Sequence, residues 1–494
     1  MRTALAVVAA LVTVAAGTAA RTAPGAASDR PRPRIVGGDE APPGAWPQVA
    51  ALLDSSVANP WGAQLCGATI LNRSWVLTAA HCLQRRPGDE GPVTAAAFDV
   101  LTGTQDLGSG GQRLRAAELR VMPSFGGGVA SASDDVAVVR LDDPTPIGAT
   151  TVLPASDGVP APGTAAVAVG WGDTTVGQGS YPVKLRQVSV PIVSDADCAA
   201  SYPSAPNRFD AASMLCAGDL ALGGKDTCSG DSGGPLFVPG AAPGQWVQVG
   251  VTSWGSSCAQ PGFPGVYARL PALADWVRAQ VRFGPFSSAP AFVRQQYADL
   301  FGRAPSDVEL WQAVAGTAGD QPAAYVTGLL SERAWQGRAG GIARLYRAML
   351  LRDADTGGLA YWIDRSRSGT SLARIASSFA DSPEFRALYG GLDDRAFVAR
   401  LYANVLQREA DPEGIDYWTN EIVTQRRTRG GVVLGISASP EFIEATQARI
   451  DVTISFFGLV RRVPTGTELA QWTPSPLADL VSFLLASYSY AARF

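Results

Sequence analysis

The spacing of apolar positions divides the chain into two regimes. From Ile35 to about Phe283 it runs in short β-prone stretches, among them Gln48–Leu53, Trp75–Thr78, Val136–Leu141, Val167–Gly170 and Trp246–Ser253. Gly/Pro clusters separate them, the pattern of a sandwich or barrel. A helical stretch, Leu273–Val281, closes this region, and a linker follows at 284–290. Beyond it the period changes from 2 to 3.6. Ile342, Leu345, Tyr346 and Met349 share one helix face, as do Val398, Leu401, Tyr402 and Val405.

The helical part also repeats. Tyr346-to-Trp362 aligns with Tyr402-to-Trp418 at an offset of 56, matching Leu350/Leu406, Arg352/Arg408, Asp355/Asp411, Gly358/Gly414, Tyr361/Tyr417 and Trp362/Trp418. Each copy is followed by Ser-Pro-Glu-Phe (Ser382–Phe385, Ser439–Phe442), a helix start with Pro at N1 and Glu in the first turn. Fainter copies begin at Tyr297 and Phe456, so a four-unit array with degenerate outer caps is expected. The Tyr-Trp pairs read as core between repeats. Asp353, Asp355, Asp411 and Glu413 read as turn and cap residues rather than calcium ligands.

Composition narrows the function classes. The 494 residues exceed one ordinary core, and 46% hydrophobic with 17% charged residues fits globular domains. Net charge is −4, but residues 1–34 hold five Arg and one Asp, a surplus of +4, which leaves −8 for the rest. The tail carries 21 Arg against 22 acids. No basic stripe remains, which argues against a nucleic-acid surface. Arg2 and the Ala/Val/Leu run to about Ala20 read as a secretory signal peptide over 1–20, with 21–34 an unstructured Arg/Pro/Ala segment. No later stretch is apolar enough to span a bilayer, so no stable membrane insertion is expected after signal removal. Six cysteines fit three disulfides in an oxidising compartment, with fifteen pairings open. There is a single histidine, His81, which excludes a His-rich metal cluster; no metal or cofactor is expected.

Three short motifs carry chemistry: Thr78-Ala79-Ala80-His81-Cys82, then Asp134-Asp135 ahead of an apolar run, then Gly230-Asp231-Ser232-Gly233-Gly234-Pro235. A serine hydroxyl needs a base to take its proton, and a neutral imidazole can do so near pH 7. A buried carboxylate on the far ring nitrogen fixes the tautomer. Glycines around Ser232 let the N–H groups of Gly230 and Ser232 converge on a developing oxyanion.

On these motifs, with Ile35-Val36-Gly37-Gly38, Gly170-Trp171-Gly172, Asp226–Leu236 and Ser253-Trp254-Gly255, the stretch 35–283 resembles a trypsin-type serine protease of the chymotrypsin fold. The resemblance implies two packed six-stranded antiparallel barrels with the site between them. It makes His81 the general base, Asp135 its orienting partner and Ser232 the nucleophile. It sets Asp226 at the base of the primary pocket between Gly255 and Gly265, which selects Arg or Lys. Ser253, Trp254 and Gly255 then offer an edge to an extended protein or peptide substrate. Cleavage at Arg34–Ile35 would free an ammonium that inserts beside Asp231, so the uncut chain is expected to be a zymogen. The resemblance also selects the pairs Cys66–Cys82, Cys198–Cys216 and Cys228–Cys258, worth very roughly 3 kcal/mol each. One departure concerns the loop around Asp106–Arg113, which lacks the glutamates that bind calcium in many animal relatives; no calcium site is expected there.

Residues 291–494 resemble the bacterial secreted modules called the domain of unknown function numbered 4214, which transfer no chemistry. The whole reads as a secreted, bacterial-type endopeptidase, an all-β double barrel followed by an all-α repeat domain. The repeat domain is expected to target the enzyme to a cell surface or protein ligand, or to cover the cleft. The alternative from another class is a catalytically silent adhesion or scaffold protein. The stretch Gln425-Arg426-Arg427-Thr428-Arg429-Gly430 stands out as a self-cleavage point if exposed.

Overall fold

The computed structural model describes residues 36–84, 92–126, 132–148, 151–156, 158–204, 208–315 and 321–494. The expected signal peptide 1–20, the segment 21–34 and the Arg34–Ile35 bond lie outside these residues.

The β region opens with a two-residue strand, β1 (Asp39–Glu40). Six strands then form a closed antiparallel barrel in the order β2-β3-β4-β7-β6-β5. They are β2 (Val49–Asp54), β3 (Gln64–Asn72), β4 (Trp75–Thr78), β5 (Phe98–Thr102), β6 (Gln112–Val121) and β7 (Ala137–Leu141). A second set comprises β8 (Ala165–Gly170), β9 (Arg186–Val193), β10 (Met214–Ala217), β11 (Pro235–Pro239), β12 (Trp246–Trp254) and β13 (Gly265–Arg269). It closes through β8–β9 pairing, and β1 adds to the outside of β9.

Several strands are apolar on both faces because each face meets a different core. Alternate side chains of a strand point opposite ways. In β2, Ala50 and Leu52 fill the first barrel, while Val49, Ala51 and Leu53 pack with Trp46 and with Phe237 of the second barrel. In β4, Val76 points into the barrel, while Trp75 and Leu77 meet Leu270, Leu273 and Val277 of the helix Leu270–Val281. That helix begins three residues before the expected position, since Pro271 suits its first turn.

Apart from the helices Pro60–Ala63 and Asp195–Ser201 and two short helical turns, the other helices of the described residues lie after Ser288. The four repeat units show the same local geometry. The guanidinium of Arg303, Arg352, Arg408 and Arg462 sits 5.0, 5.1, 5.0 and 5.0 Å over the ring of Tyr297, Tyr346, Tyr402 and Phe456. Asp355 and Asp411 cap their helices by accepting from the Gly358 and Gly414 amides (2.8 and 2.6 Å). Asp353 instead pairs with Arg347 and Arg449.

Two expectations are corrected. Tyr361 and Tyr417 are 51% and 55% exposed rather than core. Adjacent residues point about 100° apart on a helix, and it is Trp362 that packs inward, 5.5 Å from the Phe379 ring. The units also do not form an open array with independent ends. The helix Pro440–Val460 runs through the centre with Ile450, Ile454, Phe456 and Leu459 buried. Asp299, in the first unit's helix Ala289–Phe301, is bound by Arg461 and by Arg493 (2.8 Å), near the end of the chain. First and last units therefore share one core.

The end of the β region and the linker after it are held against β3, β4 and β6. Trp75 donates its indole N–H to the Gly284 carbonyl (2.7 Å), and Asn72 donates to Val281 (3.1 Å). Arg120, stacked 4.5 Å over the Trp75 ring, donates to the Gln280 and Ser287 carbonyls (2.7 Å each).

Candidate active site

The short turn Ala80–Leu83 after β4 presents His81, and the Cys66–Cys82 disulfide ties that turn to β3. Asp135 comes from the start of β7. Its neighbour Asp134 adopts a left-handed conformation (φ 57°), and the Val136 amide donates to the Asp134 carbonyl (2.8 Å). This tight turn leaves Asp134 half-buried and sends the Asp135 carboxylate fully inside. One Asp135 oxygen accepts the His81 backbone N–H (2.9 Å), and the other lies 2.7 Å from His81 Nδ1. That second oxygen also accepts the Ser253 hydroxyl. A carboxylate on Nδ1 holds the proton there and leaves Nε2 able to accept one.

Ser232 sits in the turn before β11. Its carbonyl accepts the Gly67 amide (2.7 Å), and the next amide, of Gly233, donates to Thr252 (2.8 Å). A Cβ at Gly233 would lie 2.3 Å from Thr78 Oγ1 and 3.2 Å from the Ala79 nitrogen. The serine turn is thus pressed against the strand end that delivers His81. The amides of Asp231, Gly233 and Gly234 each donate to a carbonyl. Those of Gly230 and Ser232 have no acceptor among the described residues. Gly230 is left-handed (φ 95°), and its carbonyl is held by the Gln64 side chain (2.8 Å). Two such amides side by side can bind an oxyanion.

Asp231 is completely buried. Its carboxylate accepts the Gly172 and Cys228 amides (2.8 and 2.9 Å). A Cβ at Gly172 would fall 2.4 Å from this carboxylate, so the Gly-Trp-Gly turn exists to let it in. Burial pushes its pKa up to about 7 against the pull of the two amides, and no cation pairs with it among the described residues.

A cavity of about 380 Å³ is lined by Asp226, Ser232, Ser253, Trp254, Gly255 and Gly265 together with neighbouring backbone. Asp226 is buried, accepts the Thr227 and Ala259 amides (2.8 and 2.9 Å), and is likewise pushed up to about 7 by burial. A Cβ at Gly265 would stand 2.6 Å from Asp226 Oδ1, whereas one at Gly255 would meet nothing within 4 Å. Glycine at the first keeps the carboxylate uncovered, and glycine at the second leaves the opening clear. Cys228–Cys258 joins the two sides of the cavity, and Cys198–Cys216 anchors β10 to the helix Asp195–Ser201.

Cys66, His81 and Cys82 are the one group of described residues close enough to suggest a metal, but both sulfurs are spent in their disulfide. The sequence reading missed Ser253 as a third partner of Asp135 and Gln64 as the brace of Gly230. The only signal for the Ser253 bond was a pair of hydroxyls, Thr252 and Ser253, at the end of a buried strand.

Two antiparallel barrels with a histidine–carboxylate pair and a glycine-flanked serine at their junction define the chymotrypsin-type serine protease fold. Residues 35–277 match the family model described as Trypsin, and this part of the chain belongs to that family. Residues 341–389 and 376–446 match the model described as Domain of unknown function (DUF4214). Among curated relatives, human Serine protease 56 is 37% identical over 256 residues, and its mouse counterpart 38% over 266. These alignments take in 50% and 52% of this chain but only 39% and 40% of the relatives' length.

Proposed function

We propose that the protein is a secreted serine endopeptidase that cuts peptide bonds after arginine or lysine. The observation that carries this reading is the buried Asp135 bonded to His81, with Ser232 and a buried Asp226 lining one cavity beside it. In this mechanism the Ser232 hydroxyl attacks the scissile carbonyl while His81 Nε2 takes its proton. Asp135 stabilises the imidazolium, and the Gly230 and Ser232 amides bind the oxyanion. The tetrahedral adduct collapses, the C–N bond breaks, and His81 protonates the leaving amine. Water, deprotonated by His81, then opens the acyl-enzyme at Ser232 and restores the hydroxyl. Asp226 takes the substrate guanidinium or ammonium, best an arginine bonded in a bidentate way.

The chain is made as a zymogen, with 1–20 a signal peptide, 21–34 a propeptide, 35–283 the protease, 284–290 a linker and 291–494 the repeat domain. Cutting Arg34–Ile35 frees an ammonium at Ile35. The fully buried Asp231, without a cation among the described residues, is the carboxylate it would neutralise. Three disulfides agree with an oxidising, extracellular setting. No helix of the described residues is long and apolar enough to cross a membrane. The repeat domain serves as a binding module.

The test is amide hydrolysis of Arg-, Lys- and Phe-ending peptides by protein starting at Ile35, with Ser232→Ala as control. Cleavage after Arg and Lys, lost in the variant, supports the reading. Cleavage after Phe alone overturns the role of Asp226, and no cleavage at all favours a silent scaffold.

A further inference from the structure

The helical region has 21 arginines and no lysine, and six of those outside its helices are held by more than one contact. Outside helices, Arg303, Arg352, Arg408 and Arg462 are each stacked on an aromatic ring and clasped through two nitrogens by Glu309, Glu384, Glu441 and Glu468. Arg461 and Arg493 are held by Asp299. The loop between the helices Pro412–Val423 and Arg429–Ser437 differs. Arg426, 58% exposed, and Arg427, which lies 5.6 Å over the Trp418 ring, share a single carboxylate, Glu421, each through one nitrogen rather than two. Exposed pairs of this kind are worth about 0–1 kcal/mol.

The flanks of this loop are unequal. On its C-terminal side Gly430, Val432, Val433 and Ile436 are buried. On its N-terminal side the helix Pro412–Val423 has no buried residue. It is held by half-buried Ile415, Trp418 and Ile422, and Val423 is wide open to solvent. Helices with few buried contacts open locally at low cost. A protease cleft binds its substrate extended, chiefly through the residues before the cut bond. Here the side able to unwind is the side a cleft would need.

We propose that the loop Gln425–Thr428 is a processing site for a second copy of this protein, which hydrolyses Arg426–Arg427 or Arg427–Thr428 and converts the chain to a nicked, two-part form. The inference rests on the Arg/Lys specificity proposed above. Water is added across one peptide bond, and no co-reactant is required. The helix Pro440–Val460 lies beyond the nick, buried in the core shared by all units, so the nicked parts stay together.

Full-length Ser232→Ala protein, unable to cut itself, is incubated with a catalytic amount of active protein and followed by denaturing gel and terminal mass analysis. The expected first new termini in the helical region are at 426/427 or 427/428, with fragments that co-elute in native size exclusion. Arg426→Gln with Arg427→Gln, both exposed and outside the core, should slow that cut roughly 10- to 100-fold. An earlier cut elsewhere in this region, or equal cutting of the double variant, overturns the proposal. A short Arg-ending peptide is run in parallel. If it is hydrolysed while the loop stays intact, the processing site is wrong and the specificity stands. If it is untouched, the specificity fails first and self-processing falls with it.

Discussion

Asp226 and Asp231 lie five residues apart, both buried, and both shifted up to about 7 because burial penalises their charged forms. Their consequences run in different directions. At Asp226 the charged form is the one that binds a cation, so a benzamidine-type inhibitor should bind about tenfold more weakly per pH unit below about 7. Its inhibition constant, measured from pH 5 to 9, should become flat in Asp226→Asn. Asp226→Ser should cost about 3–5 kcal/mol, roughly 10²- to 10⁴-fold in kcat/KM for Arg substrates, with little change for Phe substrates. Asp231 governs folding instead. Its folded pKa lies above the ordinary carboxylate value, so its stability contribution is complete below about pH 4 and is lost as pH rises through about 7. The uncut chain should therefore gain less in Tm between pH 4 and 7 than Asp231→Asn, and cutting at Ile35 should remove that handicap. The candidate residues His81, Asp135 and Ser232 could be picked out in sequence because nucleophilic chemistry prescribes residue types within short motifs. The bond from Ser253 to Asp135 could not, since the two lie 118 residues apart.

At the scale of elements, periodicity identified the helices and even the repeated unit but not how units meet. Tyr361 and Trp362 are neighbours in sequence, and only the position of Phe379 decides which of them turns inward. The link between first and last units passes through Asp299, 2% exposed and bound by Arg461 and Arg493. Nothing local marks a contact spanning 194 residues. Asp299→Ala leaves two guanidinium groups without their acceptor and should destabilise the helical region by about 3 kcal/mol. Urea unfolding followed by circular dichroism at helical wavelengths would read this as a lower midpoint with an unchanged protease signal. Asp353→Ala, at a more exposed ion pair, should move the midpoint far less.

For the whole molecule, the linker between the regions is docked beside β4, where Arg120 spans Trp75, Gln280 and Ser287. Arg120→Ala should weaken this docking by about 1–3 kcal/mol, detectable as faster nicking between Gly284 and Ala289 by a non-tryptic protease, with hydrolysis of small substrates preserved. One further property belongs to the molecule as a unit. Its 494 residues contain one imidazole, and that ring is locked against Asp135 at the active site. In a proton magnetic resonance spectrum recorded in heavy water, the histidine Cε1–H line is therefore a single, already assigned signal. Inhibitor docking or removal of the propeptide can each be followed at that one line, without labelling and without a second histidine to subtract.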